Sequence, residues 1–485
     1  MNLQFTIGWG RLNFFKIMIL TVIIMQSVFS YAQNDTIKYD ATLMGLTSTG
    51  ANSPFWLHSR QFGKISSQSN SADIMLGVNK EFGDRKRLFD YGFKANLLLQ
   101  TDKTTTNLYF HELYAKARLL VFDLIVGSRE EHLGNQDSTL SSGGLLFSQN
   151  ARPMPKITVG IEHFTTIPFT FGMLEIKGAL SHGWFTDNIY TQNQLLHHKY
   201  AYLRLGGKLP VHFQYGLDHV AQWGGNVPGT GVGFGQQPIN LQAYKSIFFG
   251  GSGGADATVN DQLNALGNHI ISQSTRLDVD ISDFKISGYW QNISEDGPIK
   301  RINKTMNRPD GLWGVSIRNR NFPFVKGILY EYLNTTDQSG PYHDKDGIIY
   351  GGSDGYFTNG IYLSGWNYYS RTIGTPFITS PLFNADGVVY TVNNRVQVHH
   401  IGLEGDIEGY FYKILTSFSK NYGTYYSPYP EMKPSTSILL EVNKQIPKLA
   451  NIDVSCSIGA DFGKLYGNSV GCLISIRKTG NLFHY

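Results

Sequence analysis

The side chains best suited to meet a ligand are aromatic and cationic groups clustered in loop-like segments. Trp366-Asn367-Tyr368-Tyr369-Ser370-Arg371 is one such segment, and Tyr422-Gly423-Thr424-Tyr425-Tyr426 with Tyr429 is another. Aromatic faces stack on the C–H side of a sugar ring, while amides, carboxylates and guanidinium groups hold its hydroxyl and acidic substituents. Trp366, Tyr368, Tyr369, Arg371, Tyr425 and Tyr426 are therefore candidate carbohydrate contacts. The competing reading for both segments is an aromatic girdle at a membrane surface. Arg152 sits in Asn150-Ala151-Arg152-Pro153-Met154-Pro155, where two prolines remove backbone donors and favour extended backbone, so a pinned turn is expected. Its guanidinium can hold an acidic sugar, although an ion pair inside the fold is the more ordinary expectation. Trp223 before Gly224-Gly225 can stack on a sugar too, but such a Trp is more often an interfacial anchor.

Other chemistry finds little support. The G-x-S-x-G matches at Ser252 and Ser353 arise in a chain with 53 glycines, and neither follows the strand-to-helix pattern of a nucleophile elbow. Asp344-Lys345-Asp346-Gly347 lacks the remaining ligands of a calcium loop and reads as a polar turn. His197-His198 and His399-His400 place neighbours on opposite faces of a strand, which is poor geometry for shared metal ligation. Gly229 to Gly235 lacks the lysine of a phosphate loop and reads as flexible. No catalytic residue, metal or cofactor is expected.

These residues need a scaffold, and composition narrows the choice. Glycine is abundant, Tyr and Phe number 28 and 30, and charged residues are 16%, below the ~25% of a typical soluble domain. The net charge of +4 gives no sign of a nucleic-acid partner. Residues 1–32 read as a secretory signal peptide: Arg11 and Lys16 precede the uncharged run Ile17 to Phe29, and Ser30-Tyr31-Ala32 offers a cleavage site before Gln33. Cleavage would remove 32 of 485 residues, leave 453, and lower the formal charge to +2.

Beyond the leader, period-two segments recur. Phe89, Tyr91, Phe93, Ala95, Leu97 and Leu99 share one face, with Asp90, Gly92, Lys94 and Asn96 on the other. Val211, Phe213, Tyr215 and Leu217 oppose His212, Gln214, Gly216 and Asp218, while Leu277, Val279 and Ile281 oppose Asp278, Asp280 and Ser282. Strands of about 8 to 11 residues suit a tilted membrane crossing. Bulky polar inner faces suit a lumen, and aromatic residues at strand ends suit girdles. The expected fold is all-β: a transmembrane antiparallel barrel of about 18 strands, with 14 to 18 as the range, over residues 33–485 and ending on the aromatic Tyr485. Helices are expected at 238–249, from Pro238 to Gly250-Gly251, and at 260–270 on Leu263, Leu266 and Ile270. Inside such a chain they are expected in the lumen or at a mouth. Cys456 and Cys472 fall on the last hairpin and, with its turn centred on Lys464, would face each other on the lipid side as free thiols.

Three segments carry a resemblance: Ser53-Pro54-Phe55-Trp56-Leu57; Ser141-Ser142-Gly143-Gly144 with Ser148 to Pro155; and Gln222-Trp223-Gly224-Gly225. Their order and spacing resemble the Wzi family of capsule assembly proteins, in the form common in Bacteroidetes. That resemblance implies an outer-membrane barrel of about 18 strands, closed by helices on the periplasmic side, which acts as a non-enzymatic lectin for capsular or extracellular polysaccharide. Outer-membrane lipid and the barrel assembly machinery are its implied partners. No family sugar-binding position can be placed on this sequence. A diffusion porin and an outer-membrane hydrolase stay open as alternatives, the first requiring an open lumen and the second a close Ser/His/acid cluster.

Overall fold

The computed structural model describes residues 36–83, 87–231, 233–295, 309–341, 343–345, 348–447 and 452–484. The expected signal peptide, Val232, the Asp346-Gly347 part of the polar turn and Tyr485 lie outside the described residues.

Alternation of apolar and polar residues builds one continuous wall. The strands are β1 (Thr36–Asn52), β2 (Gln68–Lys80), β3 (Phe89–Asp102), β4 (Thr106–Leu119), β5 (Phe122–Ser128), β6 (Pro155–Thr166), β7 (Leu174–Trp184), β8 (Leu195–Leu205) and β9 (Val211–Trp223). They continue as β10 (Asn268–Ile281), β11 (Phe284–Glu295), β12 (Gly311–Asn319), β13 (Gly327–Asn334), β14 (Val396–Ile407), β15 (Tyr410–Gly423), β16 (Pro428–Ile446), β17 (Ile452–Gly463) and β18 (Ser469–His484). Each pairs antiparallel with its chain neighbours in an 18-stranded sheet, and β18 returns to β1 from Thr36 opposite His484 to Ser48 opposite Gly471. Lengths run from 7 residues in β5 to 19 in β16, a wider spread than the expected 8 to 11. Closure leaves no sheet edge, so the backbone is satisfied without water.

The wall is inverted relative to a soluble sheet. Leu43, Leu76, Leu108, Phe110, Phe213, Val315, Ile458 and Ile474 are exposed on its outer face, while Asp73, Asn96, Glu112, Asp218, Asp278 and Glu331 are buried on the inner one. That is the pattern of a barrel that crosses a bilayer. Among the described residues no helix is long and apolar enough to cross. The start of β1 and the end of β18 lie at one end of the barrel with the short turns between strands, such as 120–121, 282–283 and 408–409. The opposite end carries the long connections, including 53–67, 129–154, 224–267 and 335–395.

Three of those connections fold into the lumen and give it a core of its own. Leu57, Leu140, Leu145, Phe357, Trp366 and Ile378 are buried together there. Helix α1 (Phe55–His58) is entirely buried, its first N–H donating to Asp461 Oδ2 on β17 at 2.7 Å. The 129–154 loop is fixed by Glu331 of β13. Its buried carboxylate accepts from Ser141 Oγ at 2.6 Å, Ser142 N at 2.7 Å and Tyr289 OH at 2.5 Å. Ser148 N then donates to Ile373 O, Thr375 N to Leu145 O and Asn150 Nδ2 to Thr372 O, all within 3.0 Å, which laces this loop to the 335–395 loop.

The long helix takes an unexpected position. Helix α2 (Leu241–Phe249) starts three residues after Pro238, at the side-chain cap Asn240, and ends at Gly250 with φ +66°. Ala243 and Ile247 pack on Ala221 and Trp223, which share the outer face of β9 with Phe213. The helix therefore lies against the outside of the wall, because its buried face is Ala243/Ile247 while Leu241 points away. The second expected helix, 260–270, is only α3 (Val259–Leu263). Gly267 turns the chain at φ +84°, Asn268 opens β10, and Ile270 is a strand residue facing the lumen core. The last hairpin is centred one residue beyond Lys464: Cys456 faces Ile474 and Cys472 faces Ile458. The thiols are diagonal neighbours with sulfurs 4.0 Å apart, and both are free.

Glu331→Ala would leave three donors without their charged acceptor, each such bond being worth ~1.5–3 kcal/mol. The lumenal loops should loosen, giving transient conductance in planar bilayers and faster proteolysis within 129–154. Unchanged conductance and cleavage would show that Glu331 does not hold the plug.

Candidate functional site

At the loop end, on the β2–β4 side, an open cavity of about 490 Å³ remains between the wall and the plug. The wall supplies Gln68, Gln100, Asp102, Asn107 and Tyr109, and the three lumenal loops supply Gly63, Arg152, Tyr369 and Arg371. Period two explains the wall side: Asn107 and Tyr109 face inward while Leu108 and Phe110 face outward. Gly63, at φ +68°, lets its loop pass beside Arg152, whose backbone N would be 3.3 Å from an added Cβ.

Arg152 is stacked rather than paired. Its guanidinium lies over the Tyr369 ring and 4.6 Å from the centroid of Tyr109. Among the described residues no carboxylate forms an ion pair with it, so the expected structural ion pair is replaced by aromatic faces. Burial lowers its pKa, with the two tyrosines opposing. Arg371 is held by carbonyls: it donates to Ile65 O at 2.7 Å and to His58 O at 3.5 Å. Burial brings its pKa down to about 10, so it stays charged at neutral pH. Tyr369 is in the left-handed region at φ +50°, fixed by its N–H donating to Asp187 Oδ2 at 2.8 Å. Burial raises the pKa of that carboxyl, which the Tyr369 N–H opposes.

The floor is closed by charge pairing. Lys64 and His111 both approach Glu130, at 2.8 Å and 2.7 Å, and Gln100 donates to Lys64 O at 2.6 Å. Beyond it, toward the turn end, a second cavity of about 450 Å³ is lined by paired groups such as Lys94 with Glu112 and Lys116 with Glu81.

The structure brings Arg152, Tyr369 and Arg371 together and separates the other candidates. Trp366 has no exposed surface; its Nε1 donates to Leu146 O at 2.9 Å and its ring packs edge-on to Phe147. Tyr368 is buried with its hydroxyl 2.6 Å from Thr186 Oγ1. Neither can offer a face to a ligand in this conformation. Trp223 lies on the outer wall beneath α2, not in the lumen. Tyr425 donates to Asp337 O at 2.8 Å and carries Arg395 over its ring, while Tyr426 beside it is 79% exposed. Both belong to the β15–β16 loop, outside this cavity. Sequence reading missed Tyr109, Gln100 and Asn107; the alternation Asn107-Leu108-Tyr109-Phe110 was the available signal, placing a tyrosine and an amide on one inward face.

The cavity can hold hydroxyls, acidic groups and apolar ring faces, but it has no histidine beside its serines. Ser66 Oγ donates to Asp102 Oδ2 at 2.7 Å. Among the described residues two serine–histidine contacts, Ser53 with His58 and Ser417 with His400, are buried, and none of these four side chains lines the cavity. Among the described residues no group of three or more His, Cys, Asp or Glu could hold a metal.

The fold and the recess define an outer-membrane type of β-barrel with a filled lumen and a binding-sized hollow at one mouth. Residues 57–400 match the family described as capsule assembly protein Wzi, and the chain belongs to that family. Among solved structures it is similar to Wzi of Escherichia coli, described as an outer-membrane protein involved in group 1 capsule assembly and a carbohydrate-binding β-barrel. The two share 14% identity over 95% of this chain and 87% of that one, with a TM-score of 0.59. It also aligns with OccK10 of Pseudomonas aeruginosa at 8% identity, covering 93% and 100% of the two chains, with a TM-score of 0.47. No protein with a curated description matches the sequence.

A small carboxylated sugar titrated by calorimetry should bind with an affinity that is flat through neutral pH. It should weaken as pH passes about 10, where Arg371 loses its proton. Affinity that rises toward that pH would exclude Arg371 as the anion's partner.

Proposed function

We propose that the protein binds and retains acidic stretches of capsular or extracellular polysaccharide at the cell surface without altering them. The observation that carries this reading is the convergence of Arg152 and Arg371, two arginines without an ion-pair partner among the described residues, on one open cavity beside the faces of Tyr109 and Tyr369. A guanidinium already pinned on a ring or between carbonyls loses little further freedom when it meets a carboxylate, and its fork matches carboxylate geometry. The neighbouring amides of Gln68, Gln100 and Asn107 suit ring hydroxyls. The family's description and the carbohydrate binding of its Escherichia coli member support the same substrate class.

The short turns, with the start of β1 and the end of β18, face the periplasm in this reading, and the cavity opens outward. The signal peptide is cut before Gln33, the barrel assembly machinery inserts the mature chain, and outer-membrane lipid surrounds it. With the turn end inward, α2 and α3 lie on the outer side, not the periplasmic one. Retention rests on many weak contacts with a long polymer, in which several barrels hold one chain and avidity far exceeds the affinity of one cavity. The exposed Tyr426 at the same end offers a further stacking face along the polymer's path. The reaction in this reading is binding alone: Ser66 is hydrogen-bonded to the Asp102 carboxylate, and no histidine lines the cavity to relay its proton.

Deleting the gene should leave polymer synthesis intact while shifting polysaccharide from the cell to the medium. Complementation with Arg152→Ala/Arg371→Ala should fail, with about 100-fold weaker binding of an acidic oligosaccharide if each cation contributes ~1.4 kcal/mol. Arg152→Lys keeps charge but loses the planar stack, so an intermediate loss is expected. Unchanged retention in the deletion strain would refute the reading.

A further inference from the structure

The outer wall of β8–β10 carries a patch that has no place in a lipid-facing surface. Trp184, Leu195 and Trp223 sit side by side on β7, β8 and β9 near the loop end, with Trp184 partly exposed in the position of a girdle. Lys199 pairs with His219, four residues further from the loop end than Trp223. At ~3.3 Å per residue and a tilt of ~40°, that places them about 10 Å inside the girdle. Alternation points Lys199, His197 and His219 outward, on the face shared with Leu203 and Phe213. His269 on β10 joins them, its Nδ1 2.8 Å from His219 Nε2. A lysine on the lipid face costs ~2–4 kcal/mol near the bilayer midplane and less toward the interface.

Helix α2 covers this patch. Lys199 Nζ donates to Phe248 O at the helix C-terminus, where the dipole favours a cation, and lies 3.8 Å from the Phe248 ring centroid. His197 is fully buried, packed edge-on to Tyr244 and Phe248. The helix runs from the Trp223 level, which Tyr244 touches, toward the membrane centre, where Phe248 meets Lys199. Its other side, with the neighbouring turns, shows Leu241 at 72%, Phe249 at 65%, Val259 at 61% and Leu263 at 79% exposure. Lys245 and Gln242 share that outward side, and the lysine is long enough to reach headgroups.

We infer that residues 239–263 form a membrane-embedded cover on the outside of the barrel. Its apolar surface meets the acyl chains of the leaflet at the loop end, Lys245 meets anionic headgroups, and the polar patch of Lys199, His197, His219 and His269 is sealed beneath. The occupant is lipid because this surface continues the apolar belt of Leu203, Phe213 and Leu277 on the strands it crosses.

The test uses the full chain with Cys456→Ala and Cys472→Ala, reconstituted in phosphatidylcholine vesicles containing phosphatidylglycerol and chain-brominated lipid. An environment-sensitive fluorophore is placed at Phe249→Cys, with Leu203→Cys as the belt reference and Tyr426→Cys as the aqueous one. The Phe249 probe should be quenched at least twofold by brominated lipid, as at Leu203, with little effect at Tyr426. Quenching no greater than at Tyr426 would overturn the inference, as would efficient cross-linking between Phe249→Cys copies, which would make the surface a contact with a second barrel. If Phe249→Cys does not fold, Leu263→Cys reports on the same surface and carries the same two outcomes.

Discussion

The rest of this molecule depends on one constraint: a closed barrel takes three long loops into its lumen, and the charged and backbone groups they bring need partners there. Glu331 is where that constraint is met most economically. A single buried carboxylate takes two donors from the Ser141-Ser142 turn and one from Tyr289. The same logic extends around the wall, where Arg318 joins Asp137 to Glu404 and Arg276 donates to Asn135 O at 2.8 Å. Buried charge is expensive unless fully bonded. Here the charges on the wall are the partners that allow irregular backbone to exist inside it, so the polar inner face and the plug specify each other.

That arrangement leaves the cations at the mouth in a different state from those deeper down. Lys64, Arg129 and Arg318 are consumed by carboxylates. Arg152 and Arg371 are held instead by ring faces and carbonyls, which fix a guanidinium without neutralising it. What the observed geometry keeps is positive charge open to the cavity, positioned before any ligand arrives, so that little ordering entropy is lost on binding.

The barrel was legible in the sequence because its signal is binary and repeated. Every alternating segment read from residues 89–99, 211–218 and 277–282 places its apolar set outward in the structure. Alternation carries no such signal where the outer face is covered. Residues 195–199 and 219–223 are buried on both faces, by the plug inside and by α2 outside, so polarity there does not report the membrane. On α2, Tyr244 and Phe248 join Ala243 and Ile247 against the wall, while Leu241 points away, so an apolar residue alone does not tell which side of this helix is covered. Register escaped as well: a one-residue shift of the β17–β18 turn makes Cys456 and Cys472 diagonal rather than opposite neighbours.

The aromatic loop shows how a segment can be found by composition and still be misread residue by residue. Trp366 and Tyr368 were singled out as binding faces, yet they are buried, and their burial is what presents Tyr369 and Arg371. The Trp366 indole holds Leu146 O, Ile373 N donates to Trp366 O, and Ser148 N donates to Ile373 O, so the loop carrying Arg152 and the loop carrying Arg371 share one hydrogen-bonded seam. Composition marks where aromatic residues concentrate; it does not distinguish the rings that meet a ligand from those that fix the backbone beneath. That distinction arises from the pairing of two loops more than 200 positions apart, Ser148 with Ile373, which no local pattern encodes.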